Sequence, residues 1–253
     1  MTMLRERFAN GDAVLGVFTT VDSAILVEAA GLAGLDFVIL DMEHGPLDLR
    51  DVERLIPAAI RAGVAPIVRV GKNDEWLILR ALDVGASGVQ VPQVNCRANA
   101  EAVVRAAKYA PLGARGVATF TRAGALNTRG LGYFAAANAE TLVVVHIEGT
   151  EGVRNLDEIL TVDGIDVLFI GPYDLSQSLG IPGQTDDPRV QGAVRECVRK
   201  IRSAGKVAGS FARDVSVAHQ WMELGIQYVA LSVDAGIYRE ACAGMVGQLR
   251  ARA

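Results

Sequence analysis

Short apolar, β-branched runs recur eight times along this chain, at Val14–Thr20, Phe37–Glu43, Ala65–Val70, Gly88–Pro92, Leu142–Glu148, Val167–Gly171, Val207–Phe211 and Tyr228–Val233. Between them lie stretches with apolar residues at three- and four-residue spacing, among them Leu49–Arg61, Asp74–Val84, Arg97–Tyr109, Gly152–Leu160, Pro188–Ala204 and Ser216–Leu224, the signature of amphipathic helices. The runs are almost unbroken in apolar character (FVIL, LVVV, VLFI), as expected of strands buried on both faces of a parallel sheet. Eight such units in 253 residues match the size of one closed (β/α)8 TIM barrel, so a single domain over residues 1–253 is expected. One segment departs from the pattern: the polar, Gly-rich stretch Pro111–Glu140 is too long for an ordinary connection and reads as a functional loop or lid.

Charge and composition exclude several partners. With 25 Lys+Arg against 29 Asp+Glu the net charge is −4, and the basic residues form no run that could neutralise a phosphate backbone, so nucleic acid is not an expected partner. No apolar run reaches the roughly 18 residues that span a bilayer, and MTMLRERFANGD at the start lacks the apolar core of a secretory signal. The cysteines, Cys96, Cys197 and Cys242, form neither a CxxC pair nor a zinc-type spacing and read as free thiols of a cytoplasmic protein. The glycine cluster Gly85-Ala86-Ser87-Gly88 precedes a strand, where dinucleotide binding requires glycines after one.

In a barrel the chemistry sits where strands end, and polar residues concentrate there: Asp41-Met42-Glu43-His44-Gly45-Pro46, Arg69, Gln90-Val91-Pro92, His146-Ile147-Glu148 and Gly171-Pro172-Tyr173-Asp174. Glu148 and Asp174 are each expensive to desolvate alone; together they suit a hard divalent cation such as Mg²⁺ or Mn²⁺ with open positions, or each caps the helix that follows. Arg69 supplies a permanent cation able to stabilise an oxyanion, or pairs structurally with Asp41 or Glu43. His44, on a tight turn, reads as a placed acid or base. Asp83 either orients a histidine through its Nδ1 proton or is simply solvated. His146 shares a strand face with Glu148 and reads as a substrate contact, a metal ligand or a core histidine. His219, in a helical pattern beside Trp221, reads as structural.

Asp-Met-Glu-His-Gly-Pro at 41–46, Val-Arg-Val at 68–70, Val-Pro at 91–92, Gly-Ala-Arg-Gly-Val at 113–117, Ile-Glu at 147–148 and Gly-Pro-Tyr-Asp-Leu-Ser at 171–176 together resemble the HpcH/HpaI family of class II pyruvate aldolases. The resemblance implies a barrel of the phosphoenolpyruvate/pyruvate-domain type that reversibly cleaves 4-hydroxy-2-oxo acids to pyruvate and an aldehyde. It implies Glu148 and Asp174 as ligands of Mg²⁺ or Mn²⁺, with Co²⁺ or Zn²⁺ as alternatives, Arg69 as the contact to the pyruvate enolate, and His44 with Asp83 as an acid–base pair. His146, Gly171, Pro172 and Asp174 are implied against the substrate, and Arg122 at the entrance, against an anionic aldehyde tail. His146 stands where the family commonly has glutamine, and Tyr173 where a small residue is common. The family further implies a homohexamer that exchanges C-terminal helices, with which the apolar stretch Ala235–Leu249 is compatible. The lysines, Lys72, Lys108, Lys200 and Lys206, include none inside an expected strand where an aldolase imine would form. Two rival readings keep the barrel: a citryl- or malyl-coenzyme A lyase, and a small-acid sensor without turnover, which would gain little from His44.

Overall fold

All eight apolar runs form strands in the computed structural model, which describes residues 2–251. They are β1 (Val14–Thr19), β2 (Phe37–Asp41), β3 (Ala65–Arg69), β4 (Gly88–Val91), β5 (Leu142–Ile147), β6 (Val167–Ile170), β7 (Val207–Ala212) and β8 (Tyr228–Val233). Each pairs in parallel with its neighbour in sequence, and β8 returns to β1 to close the barrel. The helices are α1 (Thr2–Ala9), α2 (Ala24–Leu32), α3 (Leu49–Arg61), α4 (Glu75–Asp83), α5 (Arg97–Ala107), α6 (Tyr133–Glu140), α7 (Thr150–Arg154), α8 (Leu156–Leu160), α9 (Pro172–Ser178), α10 (Pro188–Ser203), α11 (Val215–Leu224) and α12 (Asp234–Arg250). The expected helix over Gly152–Leu160 is two short helices broken at Asn155.

Strand alternation sorts the side chains. One set, including Val38, Leu40, Val68, Val89, Val143, Val145 and Leu168, packs outward against the helices; the other, including Phe37, Ile39, Ile67, Leu142, Val144, Phe169 and Tyr228, fills the barrel. Leu4 of α1 joins this interior set and stoppers the end at which the strands begin. Gly16 is required here, because a Cβ would lie 2.2 Å from the Phe37 ring. That ring stacks on Tyr228, with centroids 4.0 Å apart. Followed toward the strand ends, the same inward positions turn polar: Ile39 leads to Asp41, Ile67 to Arg69, Gly88 to Gln90, and Val144 to His146 and then Glu148. Period-two alternation thus carries the apolar interior into a polar mouth.

The stretch Pro111–Glu140 does not cover that mouth. Its last eight residues form α6, which packs through Tyr133 and Phe134 on Tyr109. Before it, Ala114 N–H donates to the Arg105 carbonyl and Ala123 N–H to that of Asp83. The segment therefore lies against the C-terminal ends of α4 and α5, at the opposite end of the barrel, and the expectation of a lid within this chain is corrected. No helix among the described residues is long and apolar enough to cross a membrane.

Candidate active site

The polar mouth encloses a cavity of about 470 Å³ lined by His44, Arg69, His146, Glu148, Gly171, Pro172, Tyr173 and Asp174, among others. Seven residues selected from sequence as functional are thereby brought together: His44, Arg69, His146, Glu148, Gly171, Pro172 and Asp174.

Arg69 is the fixed cation of this site. Its Nε and Nη2 donate to the two oxygens of Asp41 at 2.8 and 2.6 Å, and its plane lies 4.6 Å over the Phe18 ring. Nη1 lies 3.0 Å from Glu43 Oε2, a charge contact without hydrogen-bond geometry, which leaves that buried oxygen without a hydrogen-bond partner. The ion pairs with Asp41 and Glu43 that sequence offered as an alternative to a functional role are both present. They hold the guanidinium at the cavity wall, so the ion pairs and a place in the mouth do not exclude one another. Burial acts to raise the Asp41 pKa, but the hydrogen bond and charge of Arg69, with N–H groups of Glu43 and His44, outweigh it and hold the carboxyl below its ordinary value. Glu43 moves the other way, raised by burial and by the nearby Glu148 charge despite Arg69.

Glu148 and Asp174 arrive from β5 and from the first turn of α9. Neither caps a helix: α7 and α9 begin at Gly149 and Gly171 without side-chain capping bonds. Glu148 Oε1 instead accepts from Gln93 N–H at 2.7 Å, and Gln93 stands at φ +55°, uncommon for a residue with a side chain. Oε2 is 2.7 Å from His146 Nδ1. Burial acts to raise the Glu148 pKa; the His146 contact through Nδ1 and the Gln93 N–H overcome it and lower it. A Cβ built on Gly171 would lie 3.2 Å from Glu148 Oε2 and 3.8 Å from Asp174 Oδ2, so both carboxylates converge where that glycine leaves room. Among the described residues no group of three or more His, Cys, Asp and Glu encloses a metal position. Two carboxylates at an open mouth fit a hard cation that keeps waters and takes substrate oxygens, not a closed zinc site.

His44 is exposed at this mouth, its main-chain N–H 3.3 Å from Asp41 Oδ1. His146 is 1% exposed, with one ring nitrogen against Glu148 and the other 2.7 Å from Gln90 Nε2; neither nitrogen is left for substrate, which corrects its expected contact. Two further expectations are not met within one chain. Asp83 ends α4, where the helix has run back to the beginnings of the strands, and accepts from Arg115 at 2.7 Å. Arg122 lies at that same end, beside Gly85 and 3.9 Å from Glu53, lining a separate cavity. Thr20, Phe211, Arg213, Ser232 and Glu240 also line the mouth without having been anticipated. Arg213 follows β7 directly, and the rule that selected Arg69 would have found it.

Residues 14–241 match the sequence pattern of the HpcH/HpaI aldolase/citrate lyase family. The hydroxypyruvate/pyruvate aldolase of Pseudomonas aeruginosa is 36% identical over 97% of this chain and 92% of its own length. A 2-keto-3-deoxy-L-rhamnonate aldolase of Salmonella gallinarum is 36% identical over 94% of this chain and 89% of its own. The crystal structure of the citrate synthase SbnG superposes with a TM-score of 0.88 at 34% identity, covering 98% of this chain and 97% of that one.

Proposed function

The chain belongs to the HpcH/HpaI aldolase/citrate lyase family, and from that premise we propose that it is a divalent-metal-dependent aldolase cleaving 4-hydroxy-2-oxo acids reversibly to pyruvate and an aldehyde. The observation that carries this reading is the convergence of Glu148 and Asp174 beside Gly171, in the cavity that Arg69 also lines.

Glu148 and Asp174 are the residues that would hold the cation, Mg²⁺ or Mn²⁺ by the all-oxygen donor set, with Co²⁺ and Zn²⁺ as alternatives. When bound, such a cation would act as a Lewis acid on a 2-oxo acid and so acidify the protons on C3. Arg69, preset by Asp41 and Phe18, turns its remaining N–H groups toward the keto oxygen and stabilises the charge that develops there on cleavage. Gly171 and Pro172 form the wall against which the pyruvate half lies. His44 takes the proton from the C4 hydroxyl as the C3–C4 bond breaks, a proton is then delivered to C3 of the enolate to give pyruvate and restore the balance, and in the reverse direction C3 loses a proton and His44 protonates the aldehyde oxygen.

Asp83 and Arg122 serve this chemistry from a neighbouring copy. Both stand at the end of the barrel away from His44, so a pairing of Asp83 with His44, or of Arg122 with an anionic aldehyde, requires one subunit's strand-start end to face another's mouth. A cytoplasmic homohexamer with exchanged C-terminal helices provides for this. The two relatives at equal identity carry different substrate names, and Tyr173, 45% exposed and edge-on to Phe211, narrows this mouth and takes part in selecting the aldehyde.

The test is pyruvate release from 4-hydroxy-2-oxo acids, first in EDTA and then with each metal restored, beside a Glu148→Ala variant. Metal-restored release that the variant lacks is the expected result. Full release in EDTA would overturn the metal mechanism, and an unimpaired His44→Ala variant would remove the proton-transfer assignment.

A further inference from the structure

Beneath the mouth, polar side chains from β8, β4 and β5 meet across the barrel. Tyr228 and Gln90 are fully buried and His146 is 1% exposed. The Tyr228 hydroxyl lies 3.1 Å from Gln90 Oε1, Gln90 Nε2 lies 2.7 Å from His146 Nε2, and His146 Nδ1 lies 2.7 Å from Glu148 Oε2.

Donor chemistry gives these contacts one direction. A phenol can donate or accept, but burial keeps the Tyr228 proton in place, and among the described residues Gln90 Oε1 is the acceptor within reach of it, so donation there leaves no buried proton unsatisfied. Giving that proton to Gln90 Oε1 fixes which way the amide faces, and the amide nitrogen, which only donates, then faces the ring. His146 Nε2 must accept and is bare. The single proton of a neutral imidazole therefore sits on Nδ1 and points at Glu148 Oε2. Stacking of the ring on Phe169, with centroids 4.7 Å apart and planes at 21°, fixes its rotation, while Gln93 N–H holds the other carboxylate oxygen.

We propose that Tyr228, Gln90 and His146 are positioning residues: a buried, one-way hydrogen-bond relay that locks His146 as its Nδ1–H tautomer and so presets the Glu148 carboxylate for a divalent cation. The relay rests on the assignment of Glu148 as a metal ligand made above. Partners behind a ligand characteristically set its orientation, and their loss costs about 10- to 100-fold in metal affinity. Loss of the Tyr228 hydroxyl frees the amide to rotate by half a turn, present its oxygen to the ring and draw the proton to Nε2.

The experiment measures Mn²⁺ affinity of the full-length protein by EPR, without substrate, for the parent, Glu148→Ala, Tyr228→Phe and Gln90→Met. Neutron diffraction from deuterated crystals locates the His146 proton. The expected results are Glu148-dependent Mn²⁺ binding in the parent, affinity weakened about tenfold or more in Tyr228→Phe at little change in melting temperature, and a deuteron on Nδ1. Tyr228→Phe keeps the ring that stacks on Phe37, so it remains informative where Gln90→Met does not fold. Parental Mn²⁺ affinity in a folded Tyr228→Phe, or a deuteron on Nε2, would overturn the relay. Parental binding indifferent to Glu148→Ala would overturn the metal assignment itself, and with it the purpose given to the relay.

Discussion

Arg69 and Asp41 stand opposite one another on adjacent parallel strands and join fork to carboxylate, through two bonds of 2.8 and 2.6 Å. The pair is nearly inaccessible, with side chains 9% and 2% exposed, so neither charge can turn to water if the other is removed. Asp41→Asn is expected to destabilise the fold by about 3–5 kcal/mol, the usual consequence of stranding one member of a buried pair, as read by urea denaturation. Arg69→Lys, which keeps the charge but not the fork, is expected to lower kcat about 100-fold or more. Full activity in Arg69→Lys would show that fork geometry plays no part.

The same pair sets an acid limit. The folded pKa of Asp41 is depressed below its ordinary 3.8, so the unfolded chain binds the proton more readily and stability falls as pH falls. The stability Asp41 contributes is complete above the ordinary value and is lost as pH drops through the lower, folded one. The difference in unfolding free energy between the parent and Asp41→Asn should hold constant from neutral pH down to about 5 and shrink below 3.8. A difference that stays level through that acid range would refute the ion-pair account.

Gly171 makes the carboxylate convergence possible by having no side chain. A Cβ there would lie 2.9 Å from Glu148 Cβ and 3.2 Å from its Oε2, so Gly171→Ala must push Glu148 off its supports. The backbone at this position, φ −92°, accommodates alanine without strain. Expected, then, is a folded variant with melting temperature within a few degrees of the parent and Mn²⁺ affinity reduced about tenfold or more. Unchanged affinity would place the cation away from this point.

How legible the site was in sequence depended on distance along the chain. Strands read clearly because burial on both faces leaves unbroken apolar runs. Arg69, His146, Glu148 and Asp174 stood out because each interrupts or closes such a run. Gln90 was visible at its strand end, but its meeting with Tyr228, 138 residues away, exists only after the barrel closes, and nothing local announces it. Asp83 and Arg122 failed for another reason. A helix that follows a strand runs back toward the strand's beginning, so the last residue of α4 belongs to the far end; its place at the close of a helical segment already contained that information. The Tyr-Phe-Ala-rich start of α6 was likewise a helix signal, hidden by the glycines before it.

Cys197 packs inside α10 at 1% exposure, and burial pushes its thiol up to about 12. Since the thiolate is the reactive form, a disulfide reagent at pH 8 is expected to leave Cys197 unmodified in the folded protein and to reach it only on denaturation. Cys96 and Cys242 are both partly exposed. Rapid native labelling of all three cysteines, resolved by peptide mapping, would contradict the packing of α10.

Helix α12 spans 17 residues without one that is buried, and Ile237, Tyr238, Met245, Val246 and Leu249 stand 44–74% exposed. Its root is anchored: Asp234 accepts from Thr20 N–H and Oγ1 and from Val21 N–H. A helix of this length is marginal in water without tertiary packing, and a cluster of exposed large apolar side chains marks an interaction surface. The cluster is therefore expected to be covered by another copy, so that light scattering on the eluting protein gives a multiple of 26.8 kDa at micromolar concentration. Replacing Val246 and Leu249 together with glutamate should leave the barrel's far-ultraviolet circular dichroism intact, dissociate the assembly and, on the proposed pairing of Asp83 with a neighbour's His44, lower kcat in step with dissociation. A dissociated variant with full kcat would show that each mouth is complete within its own chain.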